Sequence, residues 1–160
     1  SDLGITTGRE RFEGYKRALR DAKLPLDETL IKTGLPIDED GYRLTKDLFS
    51  LERPPTALFT GSKLLTQGAI HALFDVGLSI PRDVALASFD KLDWMPFMPP
   101  MSYAEQPAYA LGQTAINLLL ERFEHPKDSQ RKIVLESSLH FDMSNRADVR
   151  DQFQVVSQGP

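Results

Sequence analysis

The sequence predicts an α/β fold built on a parallel, Rossmann-like sheet, and three observations point to that class. Amphipathic helical segments alternate with short apolar runs along nearly the whole chain. Two of those runs, 56–60 and 84–89, are continuous, as in strands that are buried on both faces. The hydrophobic fraction of 41% is ample for a packed core. Strands that alternate with helices pair in parallel through helical crossovers, which gives a layered sheet.

Three helices are expected in the first half of the chain, over residues 8–23, 41–51 and 62–76. Thr7 and Glu10 have the spacing of a capping box, and apolar residues follow at helical spacing until Pro25. Leucines at helical spacing define the second helix. Ser62 is placed to cap the third helix and Gly77 to end it.

The sheet is expected to contain strands at 28–33, 56–60 and 84–89, with a further short strand at 101–104. A strongly amphipathic helix is expected over 108–123, followed by an extended segment at 132–141 and a polar tail. The strand count is low for a doubly wound domain, and the chain opens with a helix. We therefore expect the fold to be incomplete at its N-terminus.

Composition and charge exclude several classes of function. The chain lacks cysteine, which excludes disulfides, thiolate zinc sites and cysteine nucleophiles. Its formal net charge of -4 argues against direct binding to nucleic acid, which requires a concentrated basic surface. No apolar run approaches the ~18 residues that span a bilayer, and the opening residues lack the pattern of a signal peptide. We expect a cytoplasmic protein without membrane contacts, although a mature secreted chain would have the same features.

Ligands of open parallel sheets bind beyond the carboxyl ends of the strands, which directs attention to the residues that follow the apolar runs. Ser62 and Lys63 follow the first run, and Asp90 and Lys91 follow the second. Asp90 is either a solvated or capping carboxylate, or an acceptor for paired hydroxyls of a polar ligand. Helix capping alone is enough to explain Ser62.

Arg11 occupies the apolar stripe of the first helix, together with Tyr15 and Ala18. An arginine on such a stripe either extends to solvent along its aliphatic stem or points into a cleft, where its planar fork recognises oxygens. The sequence pattern leaves both alternatives open.

No catalytic or metal-binding arrangement is evident. None of His71, His125 and His140 lies at a predicted strand-to-helix junction. Glycines are scattered as caps and turns, so no phosphate-binding loop follows a strand. The acidic residues 38–40 could attract a cation, but a helix N-terminus favours acidic residues in any case. We therefore predict no enzyme activity, no metal and no cofactor.

Three segments resemble, in order and spacing, the effector-binding domain of lactose/galactose-repressor-type (LacI/GalR) transcriptional regulators. They are TTGRERFEGYKRAL, PPTALFTGSKLLTQGAIHALFDVGLSIPRDVALASFD and PPMSYAEQPAYALGQTAINLLLER, and the resemblance covers residues 6–146. It implies a periplasmic-binding-protein-like fold, with two α/β subdomains joined by three crossover strands and an effector in the cleft. It also implies a helix-turn-helix headpiece that binds operator DNA as a homodimer.

The resemblance divides the chain between those subdomains. Residues 1–100 and 126–146 would belong to the C-terminal subdomain, and 101–125 would return to the N-terminal subdomain as one strand and one helix. Residues 147–160 would form a tail, and the DNA-binding headpiece would be absent from this sequence.

The resemblance also assigns roles to individual residues. Arg11 matches an arginine that binds ligand hydroxyls, and Asp90 matches an acidic ligand contact. Ser62 stands where an asparagine commonly contacts the ligand, and Gln106 lies in a crossover position that could reach the cleft. Together these four residues are the candidate effector-binding site.

Two departures from the family pattern put an ordinary hexose in doubt. Ser62 and Lys63 replace the usual asparagine and aspartate, and the aromatic platform expected near Pro36 is missing. Lys63 and Lys91 suggest an anionic effector, such as a sugar phosphate or sugar acid, unless both are solvated surface lysines.

The implied function is the effector-sensing part of a transcriptional repressor of carbohydrate-use genes. Dimerisation is expected through Leu64, Leu65, Ile70 and Phe97, which are apolar beyond what one core face needs. One alternative is a periplasmic sugar-binding receptor of an uptake system, which an upstream signal peptide would reveal. The other is a hydrolase that uses Asp90, for which no acid/base partner is evident.

Overall fold

The computed structural model describes residues 2–94 and 98–142, and within them helices and strands alternate as expected. The helices are α1 (Thr6–Asp21), α2 (Asp38–Phe49), α3 (Lys63–Asp75) and α4 (Ala108–Glu124). The strands are β1 (Ala57–Thr60), β2 (Ala85–Phe89), β3 (Ser102–Glu105) and β4 (Ser138–His140), and a single 3-10 turn covers Glu28–Leu30. The described residues therefore have the predicted α/β class.

The strands form one sheet in the order β1-β2-β3-β4. β1 pairs in parallel with β2, and β2 in parallel with β3, whereas β4 runs antiparallel to β3. The helix α3 connects β1 to β2, as a parallel pair requires. The three parallel strands place their carboxyl ends at one edge, where Gly61, Asp90 and Gln106 follow them.

The core lies on one face of this sheet. Burial alternates along β1 and β2, because successive side chains of a strand point to opposite faces. On the buried face Leu58 and Leu86 join Leu73 of α3 and Leu48 of α2 in one apolar cluster. The opposite face is covered less completely, and Phe59 there is 41% exposed. The apolar runs are thus not buried on both faces, contrary to the expectation from sequence.

Two glycines allow α2 and α3 to approach each other closely. A Cβ atom on Gly68 would lie 2.0 Å from the carbonyl oxygen of Asp38, and one on Gly41 would lie 2.5 Å from that of Leu65. The neighbouring atoms are backbone, which cannot move aside as a flexible side chain can. The pair of helices therefore requires glycine at both crossing points.

The predicted strand at 28–33 is wrong. Asp27 accepts a hydrogen bond from the Thr29 amide at 2.9 Å and caps the 3-10 turn that starts at Glu28. Ile31 has an extended backbone, but residues 31–33 pair with no strand among the described residues. An extended segment becomes a strand only when a partner accepts and donates its backbone hydrogen bonds.

The predicted starts of α1 and α2 are also wrong. The N-cap of α1 is Ile5, without a side-chain cap, so Thr7 and Glu10 lie inside the helix and form no capping box. α2 begins at Asp38, three residues before its predicted start. There Asp40 accepts hydrogen bonds from the Arg43 guanidinium at 2.9 Å and the Leu35 amide at 2.8 Å, which lower the pKa of its carboxyl.

The end of α3 confirms the role expected for Gly77. Its φ is +76°, in the left-handed region that glycine adopts without steric cost. The amide of the following Leu78 donates to the Leu73 carbonyl at 2.9 Å, which satisfies the last turn of the helix.

α4 lies outside the core. It contains no buried residue, and Leu111 and Leu119 are 42% and 50% exposed, whereas Leu118 is half-buried. Most of the apolar side chains of α4 are therefore left uncovered by the rest of the described chain. Among the described residues, no helix combines the length and the apolar content needed to cross a membrane.

Candidate functional site

Four predicted site residues converge at the carboxyl end of the parallel strands. Arg11 reaches across from α1, and Ser62 directly follows β1 and Gly61. Asp90 follows β2, and Gln106 follows β3. Arg11 Nη1 donates to the Gly61 carbonyl at 2.6 Å, and Gln106 donates to the Asp90 carboxylate. The topology thus brings together residues that are up to 95 positions apart, from Arg11 to Gln106.

Arg11 points toward this sheet edge and not toward bulk solvent. Besides its bond to Gly61, its guanidinium carbon lies 3.7 Å from the centroid of the Phe89 ring. Partial burial lowers the pKa of Arg11, and the nearby negative charge of Asp90 opposes that effect. The fold therefore directs the Arg11 guanidinium to the sheet edge, and its recognition of a ligand stays a prediction.

Asp90 has an unusual backbone. Its φ is +75°, in the left-handed region that few residues other than glycine adopt, although aspartate tolerates it better than most. The Asp90 amide donates to the Ala104 carbonyl at 2.8 Å, and Ser88 Oγ donates to the Asp90 carbonyl at 2.7 Å. Both hydrogen bonds hold the turn that directs the carboxylate.

Ser62 serves as the N-cap of α3. Its hydroxyl accepts from the Leu65 amide at 3.4 Å, and its carbonyl accepts from the Thr66 hydroxyl at 2.8 Å. Helix capping is therefore enough to account for a serine at this position. A contact between Ser62 and a ligand stays a prediction.

The two lysines beside the site are paired with a carboxylate. Lys63 Nζ lies 3.3 Å from one oxygen of Asp93, and Lys91 Nζ lies 3.8 Å from the other. Lys63 also lies 5.5 Å from the Trp94 ring. The single negative charge of Asp93 offsets only one of the two lysine charges, so a part for these lysines in binding an anionic ligand stays a prediction.

The histidines occupy other places in the fold. His71 Nδ1 is 3.6 Å from Asp38, and His140 stacks on Tyr103 and contacts Glu105 at 3.0 Å. His125 follows the last turn of α4. Within the described ranges, no cluster of three or more histidine or carboxylate side chains could hold a metal ion.

A cavity of about 480 Å³ adjoins Arg11 on the less covered face of the sheet. Side chains from α1, residues 30–33, β1 and β2 line it, and most of them are apolar. Arg11 and Gly61 are among the residues that line it. Cavities of this size are common for small-molecule ligands.

The predicted dimer residues fall into different environments. Leu64 is 43% exposed, whereas Leu65 is only 5% exposed. Leu65 cannot contribute to a surface patch, because it lies where α2 crosses α3 at Gly41. Ile70 is half-buried against the core cluster, and Phe97 lies outside the described residues.

Sequence reasoning missed the two groups that orient Arg11, namely the Phe89 ring and the Gly61 carbonyl. Phe89 directly precedes Asp90, so an aromatic residue beside the carboxylate at a strand end was the available signal. A backbone carbonyl leaves no signal in a sequence, because every residue has one.

Comparisons with known proteins agree with this geometry. The family model of the periplasmic binding protein-like domain matches residues 4–141. The HTH-type transcriptional repressor PurR of Haemophilus influenzae is 38% identical over 125 residues, which cover 78% of this chain and 37% of that protein. The chain thus spans well under half the length of this curated relative.

Two solved structures show the same fold. A complex of the transcriptional regulator CelR with cellobiose has a TM-score of 0.80 at 28% identity, over 88% of this chain and 43% of that one. A LacI family transcriptional regulator from Enterococcus faecium with bound ribose has a TM-score of 0.74 at 28% identity, over 82% of this chain and 50% of that one. The chain therefore belongs to the periplasmic binding protein-like domain family, in the form found in lactose/galactose-repressor-type regulators.

Proposed function

We propose that this chain is the effector-sensing part of a cytoplasmic transcriptional repressor that responds to a sugar or a sugar derivative. The observation that carries the proposal is the placement of Arg11 and Asp90 at the carboxyl edge of the sheet. A guanidinium only donates hydrogen bonds and an ionised carboxylate only accepts them, so the pair complements hydroxyl groups, which do both. Two structural neighbours hold the sugars cellobiose and ribose.

Regulation would follow from differential affinity. An effector that contacts both subdomains stabilises one relative orientation, and it shifts the equilibrium by the difference between its affinities for the two orientations. That shift would alter the spacing of two headpieces on operator DNA in a homodimer. DNA binding would reside in a headpiece. For the homodimer, Leu64 is the exposed member of the proposed dimer surface among the described residues.

A catalytic role for this site has weak chemical support. The carboxylate of Asp90 is hydrogen-bonded to amide donors of Gln106, which neither release nor accept a proton near neutral pH. We propose that the chain binds its ligand without converting it. A periplasmic sugar-binding receptor is the second candidate function. The similarity to a transcriptional repressor favours the repressor over the receptor.

Calorimetry of Arg11→Ala in the full-length regulator tests the proposal, with D-ribose, cellobiose and a panel of other sugars and sugar phosphates. Charge-assisted hydrogen bonds contribute about 1.5–3 kcal/mol each. We therefore expect the variant to bind the effector at least about tenfold more weakly than wild type.

Arg17→Ala is the matched control, because Arg17 is exposed on the same helix. It should bind like wild type. Equal affinity of Arg11→Ala and wild type would contradict the site. A thermal melt of each variant distinguishes a loss of affinity from a loss of folding stability. Since Arg11 also bonds to Gly61, we expect its loss to cost about 1 kcal/mol of stability.

A further inference from the structure

Gln106 donates one backbone and one side-chain hydrogen bond to the same carboxylate. Its backbone amide donates to Asp90 Oδ1 at 3.1 Å, and its side-chain Nε2 donates to Asp90 Oδ2 at 2.6 Å. Both residues are half-buried. Each oxygen of Asp90 thus has one fixed donor, and both donors come from the residue that follows β3.

The backbone of Asp90 is fixed independently of its side chain. A non-glycine residue with φ near +75° persists only when its surroundings hold it. The hydrogen bonds from Ser88 Oγ and to the Ala104 carbonyl do so here. Backbone and carboxylate are therefore both restrained, which leaves the carboxylate a single direction toward the site edge.

We propose that Gln106 is a positioning residue for effector recognition, which acts by holding the Asp90 carboxylate and does not itself touch the effector. This inference rests on the proposed function, because it assumes that Asp90 meets the ligand. It changes the role expected from the sequence, in which Gln106 reached the cleft as a direct contact.

The arrangement also selects the chemical class of the ligand group. A carboxylate oxygen offers about two acceptor positions, so each oxygen of Asp90 retains capacity after accepting one bond from Gln106. That remaining capacity suits a donor, such as a sugar hydroxyl. A phosphate or carboxylate group of a ligand would meet like charge there, whereas its hydroxyls would still fit.

Amide spectra of the 160-residue chain without ligand test the contact itself. The side-chain amide resonances of Gln106 are identified by their loss in Gln106→Leu. In Asp90→Asn they should shift clearly, because the charged acceptor of Nε2 has gone. The side-chain amide of Gln113, exposed on α4, is the control and should not move. Unchanged Gln106 resonances would overturn the proposal whatever the chain binds.

A double-mutant cycle in the full-length regulator tests the route of the effect. With the sugar that wild type binds most tightly among D-ribose, cellobiose and a monosaccharide panel, Gln106→Leu should weaken affinity about tenfold. In the Asp90→Asn background the same change should weaken it less than twofold. Equal weakening in both backgrounds would show a direct contact between Gln106 and the effector, and would overturn the positioning role.

Two further outcomes separate this inference from the proposed function. Gln113→Leu should bind like wild type, and Gln106→Glu should bind more weakly than Gln106→Leu, because it sets a second carboxylate against Asp90. Absence of sugar binding by wild type would contradict the proposed function. The Gln106 amide spectrum would then still decide whether Gln106 holds Asp90.

Discussion

Asp90 shows how one residue can serve two purposes that conflict. Its carboxylate gains two hydrogen bonds from Gln106, while its left-handed backbone carries a steric cost. A residue without a Cβ atom would avoid that cost but would lose the acceptor. Stability and ligand recognition therefore place different demands on this position.

Substitutions at Asp90 should separate the contribution of the carboxylate hydrogen bonds from the cost of the left-handed backbone. Asp90→Ala loses the acceptor and keeps the strain, so we expect it to cost about 1–3 kcal/mol of unfolding free energy. Asp90→Gly should be about 1 kcal/mol more stable than Asp90→Ala, since glycine adopts positive φ freely. Urea denaturation measures both. Glu10 is the control, because it is a solvent-exposed residue inside α1. There the glycine variant should be less stable than the alanine variant, because glycine is unfavourable in a helix. The same order of stability for the alanine and glycine variants at both positions would refute a steric cost of the Asp90 backbone.

At the scale of elements, the contact between α2 and α3 depends on the absence of side chains. Gly41 and Gly68 meet backbone atoms of the opposite helix, as described above. Such close packing brings Leu48 and Leu73 into one core and buries Leu65 between the helices. The same packing removes Leu65 from any dimer surface.

Gly68→Ala should therefore be strongly destabilising, by at least about 2 kcal/mol, because a methyl group must displace backbone atoms. Gly112→Ala is the matched control. Gly112 lies inside α4 with no atom within 4 Å of an added Cβ. That change should stabilise the chain by about 0.5–1 kcal/mol through helix propensity. Equal effects of the two substitutions, measured by chemical denaturation, would exclude close helix packing as the cause.

At the scale of the whole molecule, the described residues divide into a packed part and an uncovered part. Leu73 is 0% exposed inside the core, whereas Leu119 on α4 is 50% exposed. The division agrees with a chain that forms part of a larger assembly, since uncovered apolar faces of this kind mark interaction sites. The assignment of 101–125 to another subdomain remains a prediction.

Matched leucine substitutions test that assignment. In the 160-residue chain, Leu73→Ala should cost about 2–5 kcal/mol and Leu119→Ala less than about 0.5 kcal/mol. In the full-length regulator, Leu119→Ala should become clearly more costly, because α4 would then pack against the N-terminal subdomain. Equal, small costs of Leu119→Ala in both proteins would contradict the assignment.

The local sequence was enough to place the four helices, with β1, β2 and β3, within a few residues. Helical spacing and the stop signal at Gly77 report hydrogen bonds that form within a few positions of one another, whereas apolar runs report the burial of strands. Resemblance to a known family assigned ligand roles to Arg11, Asp90, Ser62 and Gln106. It could not give their contacts, because a family pattern names residues only.

The remaining features depend on partners that are distant in the chain. Residues 28–33 carry a strand-like pattern, yet they form no strand because no strand of the described part of the chain pairs with them. Gln106 holds Asp90 across 16 positions, and Arg11 reaches Gly61 across 50. Contacts of this kind arise when the sheet brings strand ends together. Periodicity along the chain contains no information about which strand ends lie side by side, so only folding in three dimensions brings the four candidate residues together.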